Sequence, residues 1–176
     1  LFRSRSRSDF NVINGKGEYT YSDGLVYNGD FVKGVKHGKG KMDYGKGHIY
    51  DGDWDNGIRN GKGTEIFENG NKYEGEYVNE IIEGKGKMTY KNKDVYTGAF
   101  HEGQRHGKGE QRFGDGRFYS GDWVNDKKEG KGKMTMKNKE YYEGDWKNDL
   151  REGQGLFHWP NGQEFRGGYL NDLKEG

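Results

Sequence analysis

The sequence predicts an all-β protein: an elongated, single-layer antiparallel meander of stacked 23-residue β-hairpin repeats, twisted and curled into a groove. Three observations predict this fold. A Tyr-x-Gly-x-aromatic motif recurs every 23 residues, a Gly-x-Gly motif keeps the same period, and polarity alternates within each repeat. A fixed period of about 20 to 50 residues indicates an array in which neighbouring copies bury one another.

The two motifs locate the repeats along the chain. Copies of Tyr-x-Gly-x-aromatic, the last of which starts with Phe, begin at Tyr27, Tyr50, Tyr73, Tyr96, Tyr119, Tyr142 and Phe165. Copies of Gly-x-Gly begin at Gly15, Gly38, Gly61, Gly84, Gly107, Gly130 and Gly153. We therefore expect an array over residues 15–176, with six full repeats over 27–164 flanked by partial repeats. Residues 1–14 are expected to form a flexible basic arm or the start of the array, in a fragment of a longer protein.

Each repeat contains two stretches whose polarity alternates, as in a strand with one apolar face. In residues 27–31 the odd positions are aromatic or glycine and the even positions are polar. In residues 40–44, Met42 and Tyr44 fall on one face. Residues 32–39 are predicted to form the loop between the two strands, so that each repeat is one hairpin.

A second turn connects one hairpin to the next. Several repeats carry an Asx-Gly pair here, which readily supplies the positive φ of a tight turn. The pairs are Asp23-Gly24, Asn69-Gly70, Asp115-Gly116 and Asn161-Gly162. Lys93 and Lys139 replace this glycine in two repeats, and we expect Asn92 and Asn138 to take the left-handed conformation in slightly different turns.

The glycine inside the aromatic motif has a packing role. Because it has no side chain, an aromatic ring from the next strand can lie across the backbone between two rings. Rings stacked in this way bury more surface than aliphatic side chains. The sequence therefore predicts aromatic ladders along the array as its core.

The composition excludes several classes of function. The net charge of +1 gives no field that would attract nucleic acid. The absence of cysteine excludes disulfides and thiolate metal sites. No metalloprotease, phosphate-loop or nucleophile-elbow motif is present, and the five histidines are interpreted as structural. We therefore expect no enzymatic activity, no cofactor and no metal in this chain.

The repeat resembles the MORN repeat (membrane occupation and recognition nexus). The resemblance covers residues 15–176 and rests on three features in order. These are Tyr-x-Gly-x-Trp, a Gly-Lys-Gly preceded by His, Asn or Glu, and a strand that contains an aromatic residue. The loop glycine of this pattern is replaced by Glu80, Asp126, Asp149 and Asp172. The resemblance implies a noncatalytic scaffold or adaptor for a protein partner, in the cytoplasm at a cytoskeletal, ciliary or membrane-proximal structure. It also leaves open an accessory domain of a lipid kinase or a SET-domain methyltransferase.

Two rows of residues are candidate binding sites. The rings of the second strands are predicted to be accessible and to bind a helix or an extended peptide in the groove. These rings are Tyr44, Phe67, Tyr90, Phe113 and Trp159. The alternative site is a lysine row that could contact anionic phospholipid headgroups, or could pair with carboxylates on neighbouring strands. The lysines are Lys39, Lys62, Lys85, Lys108 and Lys131. The open hairpin ends and the aromatic face also suit a homodimer.

Overall fold

A computed structural model describes residues 14–175, which contain fifteen β-strands and no helix. The arm predicted for residues 1–14 therefore lies, except for Asn14, outside the described residues. The strands are β1 (Gly15–Thr20), β2 (Val26–Val32), β3 (Val35–Asp43), β4 (Ile49–Asp55), β5 (Ile58–Ile66), β6 (Lys72–Val78), β7 (Ile81–Thr89), β8 (Val95–His101), β9 (Gln104–Arg112), β10 (Phe118–Val124), β11 (Lys127–Thr135), β12 (Tyr141–Lys147), β13 (Leu150–His158), β14 (Glu164–Leu170) and β15 (Leu173–Lys174).

The strands follow one another in a single sheet in chain order, which confirms the predicted antiparallel meander of hairpins. The chain divides into two compact units, Leu1–Gly84 and Lys85–Gly176, and each is described by itself. Within unit 1 the motif glycines stand opposite one another, as Gly40 does to Gly52 and Gly63 to Gly75. No helix among the described residues is long and apolar enough to span a membrane.

Within a hairpin the motif glycines also stand opposite one another, as Gly52 does to Gly63, and this pair lies beneath the tyrosine of its own repeat. Tyr50 is 0% exposed, and its hydroxyl donates to the backbone oxygen of Asp53 at 2.8 Å. A Cβ added at Gly63 would lie 2.6 Å from that hydroxyl. The predicted close approach of ring and backbone is therefore confirmed. The Tyr50 ring lies across Gly63 on the neighbouring strand of the same hairpin, and a Cβ added at the motif glycine Gly52 would lie 2.7 Å from the same hydroxyl.

The tyrosines and the aromatic residues four positions later form the core, as predicted. In unit 1 the Tyr27 ring meets Phe31 at 5.0 Å and Trp54 at 5.5 Å, both edge to face. In unit 2 the Tyr119 ring meets Trp123 and Trp146 in the same way. Such pairs contribute about 0.5 to 1.5 kcal/mol each beyond the burial of area.

The prediction of a loop over residues 32–39 is wrong. Strand β2 ends at Val32 and β3 already begins at Val35, so that the turn contains only Lys33 and Gly34. Both have positive φ, at 50° and 77°, as in the two-residue turns that match the twist of a hairpin. The polar composition of residues 35–39 resembles a loop, but these residues pair in the sheet.

The expectation for the asparagine-lysine turns is also wrong. Lys93 and Lys139 themselves take positive φ, at 75° and 71°. The turn is otherwise the same as its glycine counterparts, since Lys93 N–H donates to Tyr90 and Gly116 N–H donates to Phe113. A lysine therefore occupies a left-handed position without changing the hydrogen bonding of the turn.

We expect the protein to lose stability above about pH 10, the ordinary tyrosine pKa. Burial raises the pKa of the six tyrosines that begin the aromatic motifs, to about 12 for Tyr142. The six are Tyr27, Tyr50, Tyr73, Tyr96, Tyr119 and Tyr142. The fold retains protons that the unfolded chain releases, so this stabilisation is complete below about pH 10 and is lost as the pH rises through the folded pKa values. Urea unfolding at a series of alkaline pH values measures the loss; a constant free energy of unfolding between about pH 9 and 12 would contradict it.

Candidate partner-binding face

A row of basic side chains lies on the same face of each unit as the core rings, and the sequence analysis did not single it out. We call it the cation row. It comprises Lys36 and Arg59 in unit 1 and Arg105, Lys128, Arg151 and Lys174 in unit 2. A register shift between the motif glycine and the aromatic residue places Trp54 opposite Arg59, and Trp146 opposite Arg151. The shift therefore brings each cation beside a ring.

The lysines of the row lie over aromatic rings. Lys36 Nζ is 4.3 Å from the Trp54 ring centroid, and Lys128 Nζ is 4.8 Å from that of Trp146. Burial lowers the pKa of both lysines. A cation over the face of tryptophan is attracted by the ring quadrupole. These side chains therefore present half-buried, ring-stacked charges rather than free surface charges.

In unit 1, Arg59 belongs to a buried polar network. Its Nη1 donates to both carboxylate oxygens of Glu65 at 2.9 Å, and Glu65 is only 3% exposed. Tyr77 donates its hydroxyl to Glu65 at 2.5 Å, and His48 Nε2 lies 2.6 Å from the same carboxylate. Arg59 Nε also contacts Glu80 at 3.1 Å. The network fixes one charged cluster within the aromatic face.

The acidic residues that replace the loop glycine hold the arginines of the row. Asp126 Oδ1 accepts from the backbone N–H of Arg105 at 2.9 Å and from its Nε at 3.0 Å. Asp172 makes the same two contacts with Arg151. In the sequence these acidic residues stand out only as departures from the repeat pattern. Glu80, Asp126 and Asp172 each hold an arginine 21 residues earlier in the chain, and Asp149 accepts the backbone N–H of Lys128 at the same spacing.

A second period in the sequence could have revealed this row. Arg59, Arg105 and Arg151 recur every 46 residues, which is twice the repeat length. Met42, Met88 and Met134 recur with the same double period, and Glu65, Gln111 and Phe157 take their place in the intervening repeats. Alternate repeats therefore differ in chemistry: methionine occupies this position in one repeat, and glutamate, glutamine or phenylalanine accompanies an arginine in the next.

The predicted partner-binding rings all lie half-buried at the first position after a strand. These are Tyr44, Phe67, Tyr90, Phe113 and Trp159. Their backbone N–H groups each donate to the carbonyl four residues on, as Tyr44 does to His48 at 2.9 Å. The Tyr44 ring stacks on His48 at 4.5 Å, and Phe113 lies 4.3 Å from the Arg117 guanidinium. Polar side chains therefore border these rings.

Several members of the predicted lysine row pair with carboxylates on the neighbouring strand. Lys39 contacts Asp53, Lys108 contacts Asp122 and Lys131 contacts Asp145. The hydrogen bond from Lys131 lowers the pKa of Asp145. Lys62 and Lys85 are exposed on β5 and β7. The cross-strand pairing that the sequence left open is thus present at Lys39, Lys108 and Lys131, and lipid binding stays a prediction.

No group of three His, Asp or Glu side chains within residues 14–175 is arranged to hold a metal ion. The chemistry of the face is that of recognition: rings, stacked cations and oriented carboxylates on a regular sheet. Such a surface defines a repeat-type binding protein. The MORN repeat family model matches seven segments of the chain, and the chain therefore belongs to this family. The segments are residues 10–26, 27–49, 50–72, 73–95, 96–116, 119–140 and 142–164.

Two solved structures share the fold. One is the TCP domain of Drosophila melanogaster SAS-4 (dCPAP), which was solved in complex with a proline-rich motif of Ana2 (dSTIL). It is 17% identical to this chain, with a TM-score of 0.50, and the match covers 94% of this chain and 95% of that one. The TCP10 domain of Danio rerio CPAP is 12% identical, with a TM-score of 0.52 and coverages of 88% and 73%. At these identities the likeness concerns the fold alone. A comparison with curated proteins gave no match.

Proposed function

We propose that this chain is a noncatalytic scaffold that holds a protein partner by an extended segment lying on the aromatic face. The observation that carries the proposal is the combination of half-buried rings with ring-stacked cations, as at Phe113 beneath Arg117. Aromatic residues and arginine are the types enriched where binding energy concentrates in protein interfaces. Aromatic-lined surfaces also suit extended, proline-containing segments.

Two further points support the proposal. The SAS-4 domain, whose fold is similar, was solved in complex with a proline-rich motif, so a sheet of this fold can accept a peptide. The family to which the chain belongs supports a cytoskeletal, ciliary or membrane-proximal setting, which is part of the same proposal. An accessory role beside a lipid kinase or methyltransferase domain concerns residues outside this chain and stays a prediction, as does a homodimer.

We expect Phe113→Asp and Tyr90→Asp each to weaken partner binding at least tenfold, the effect of losing an interface residue that contributes more than about 1.4 kcal/mol. The measurement is capture of proteins from a lysate of the source cells at high salt, with the captured protein quantified by mass spectrometry. Circular dichroism confirms that each variant remains folded.

The matched control is Val124→Asp. This residue is 40% exposed and follows Trp123 in β10, so that it points to the opposite face of the same unit. The control should bind the partner as the unchanged protein does. Equal capture by the Phe113, Tyr90 and Val124 variants would contradict the proposal, because the aromatic face would then not be the binding surface.

The lysine row supports one alternative. On unit 2, Lys108, Lys131 and Lys133 line a shallow hollow of about 430 Å³ beside the motif glycines. This arrangement would favour an anionic headgroup, although Lys108 and Lys131 already pair with carboxylates. Sedimentation with phosphatidylserine vesicles distinguishes the two proposals. Lipid binding would be sensitive to salt and would be lost in Lys108→Glu, whereas Phe113→Asp would leave it unchanged.

A further inference from the structure

One position in the row of second-strand rings carries no ring. Within unit 2 this row contains Tyr90, Phe113, Met136 and Trp159 at intervals of 23 residues. The backbone is the same at each, since Met136 N–H donates to Glu140 at 2.7 Å as Phe113 N–H does to Arg117 at 2.9 Å. Met136 is 38% exposed. The repeat therefore keeps its turn and lacks only the ring.

Within unit 2, each ring of this row has a partner in the cation row, fifteen residues later. Tyr90 lies 6.0 Å from the Arg105 guanidinium, Phe113 lies 6.0 Å from Lys128 Nζ, and Trp159 lies 4.3 Å from Lys174 Nζ. The same spacing assigns Arg151 to Met136. Arg151 contacts core rings of its own, but it has no ring from this row.

A pocket of about 320 Å³ lies where the ring is missing. Its apolar lining is formed by Met134, Met136, Tyr142, Trp146 and Phe157. We call it the Met136 pocket. Its volume is at the lower end of the range for ligand sites, about 300 to 1,000 Å³, which suits a single large side chain.

The charges around the Met136 pocket balance. Arg117, Lys128 and Arg151 line it together with Glu140, Asp149 and Asp172. Arg151 pairs with Asp172, and Asp149 accepts the backbone N–H of Lys128. The Glu140 carboxylate is half-buried and accepts no hydrogen bond from any residue in the described range 14–175. A neutral ligand with one hydrogen-bond donor matches this lining better than an ion does.

We propose that the Met136 pocket receives a tryptophan side chain of the protein partner. The indole takes the place of the missing ring beside Met136 and Arg151, and its N–H donates to the Glu140 carboxylate. Tryptophan fits best because it combines the strongest attraction for a cation over its face with a single donor. The proposal rests on the proposed function, since it names the residue by which the partner is anchored.

The test uses N-acetyl-tryptophanamide as the probe and the whole chain labelled at its four methionine methyl groups. In NMR titrations the Met134 and Met136 signals should shift saturably, whereas those of Met42 and Met88 should not. N-acetyl-1-methyl-tryptophanamide lacks the donor and should bind about tenfold more weakly, as expected for one hydrogen bond to a charged group. N-acetyl-leucinamide should not saturate the site.

Two variants complete the test. Met136→Phe supplies the ring that the other repeats carry and should weaken probe binding at least tenfold, with Met134 as reporter and no loss of thermal stability. Glu140→Ala should make the two tryptophan amides bind equally. Shifts of equal size at all four methionines, undiminished binding to Met136→Phe, or equal binding of the two amides to the unchanged protein would overturn the proposal. Loss of partner capture in Phe113→Asp with no probe binding at Met136 would overturn this proposal alone and leave the scaffold function standing.

Discussion

Arg59→Met is expected to lower the free energy of unfolding by about 3 to 5 kcal/mol, the usual cost of removing one partner from a buried ion pair. Arg59 donates to both oxygens of Glu65, which is 3% exposed. Tyr77 and His48 also contact this carboxylate, but they cannot replace the two hydrogen bonds that the guanidinium donates to it. Urea unfolding, followed by tryptophan fluorescence, measures the change.

A double-mutant cycle supplies the control, because the chain itself offers an apolar version of this site. The position of Glu65 is occupied by methionine at Met42 and Met134 in other repeats. Glu65→Met added to Arg59→Met should therefore restore part of the lost stability, since no unpaired carboxylate remains. A double variant that loses the sum of the two single effects would show that Arg59 and Glu65 stabilise the fold independently.

Gly63→Ala is expected to lower the free energy of unfolding by about 3 kcal/mol, from overpacking and the loss of one buried hydrogen bond. The added Cβ would lie 2.6 Å from the Tyr50 hydroxyl, closer than any real contact of this kind. Tyr50 is fully buried between the rings of Trp54 and Tyr77 and cannot move aside without disturbing both. Its hydroxyl would also leave the Asp53 carbonyl. Denaturant unfolding of the whole chain measures the change.

The matched control is Gly24→Ala. Gly24 has a φ of 88° and nothing within 4 Å of an added Cβ. The substitution therefore has only the backbone cost of a left-handed alanine, about 1 to 2 kcal/mol. If Gly63→Ala were no more destabilising than Gly24→Ala, the ring would not be packed on the glycine as described.

The sequence was sufficient to predict the repeat, the hairpins and the aromatic core, because all three depend on periodic apolar positions. It was not sufficient to predict the turns. Residues 35–39 read as a loop because they are polar, yet they pair with β2 and β4. Lys33 and Lys93 take positive φ without being glycine. Cross-strand pairing outweighs the local preference at each of these positions.

The candidate site was predicted only in part. The second-strand rings were identified because they recur at the same position of successive repeats, and the structure places them half-buried on the face of the core rings. The cation row was missed because its lysines and arginines look like ordinary surface charges in a chain with 34% charged residues. Only the register shift that sets Arg59 beside Trp54 distinguishes them. The double period of 46 residues was a visible signal, but its meaning depends on that geometry.

Photo-cross-linking from the two faces of unit 2 tests most directly whether the partner binds on the aromatic face. A benzoyl-phenylalanine is placed at position 113 on the aromatic face or at position 124 on the opposite face, and each protein is irradiated in a lysate of the source cells. Binding on the aromatic face predicts one protein adduct from position 113 and none from position 124. An adduct that forms from position 124 and not from position 113 would contradict it, because the partner would then lie on the other side of the sheet.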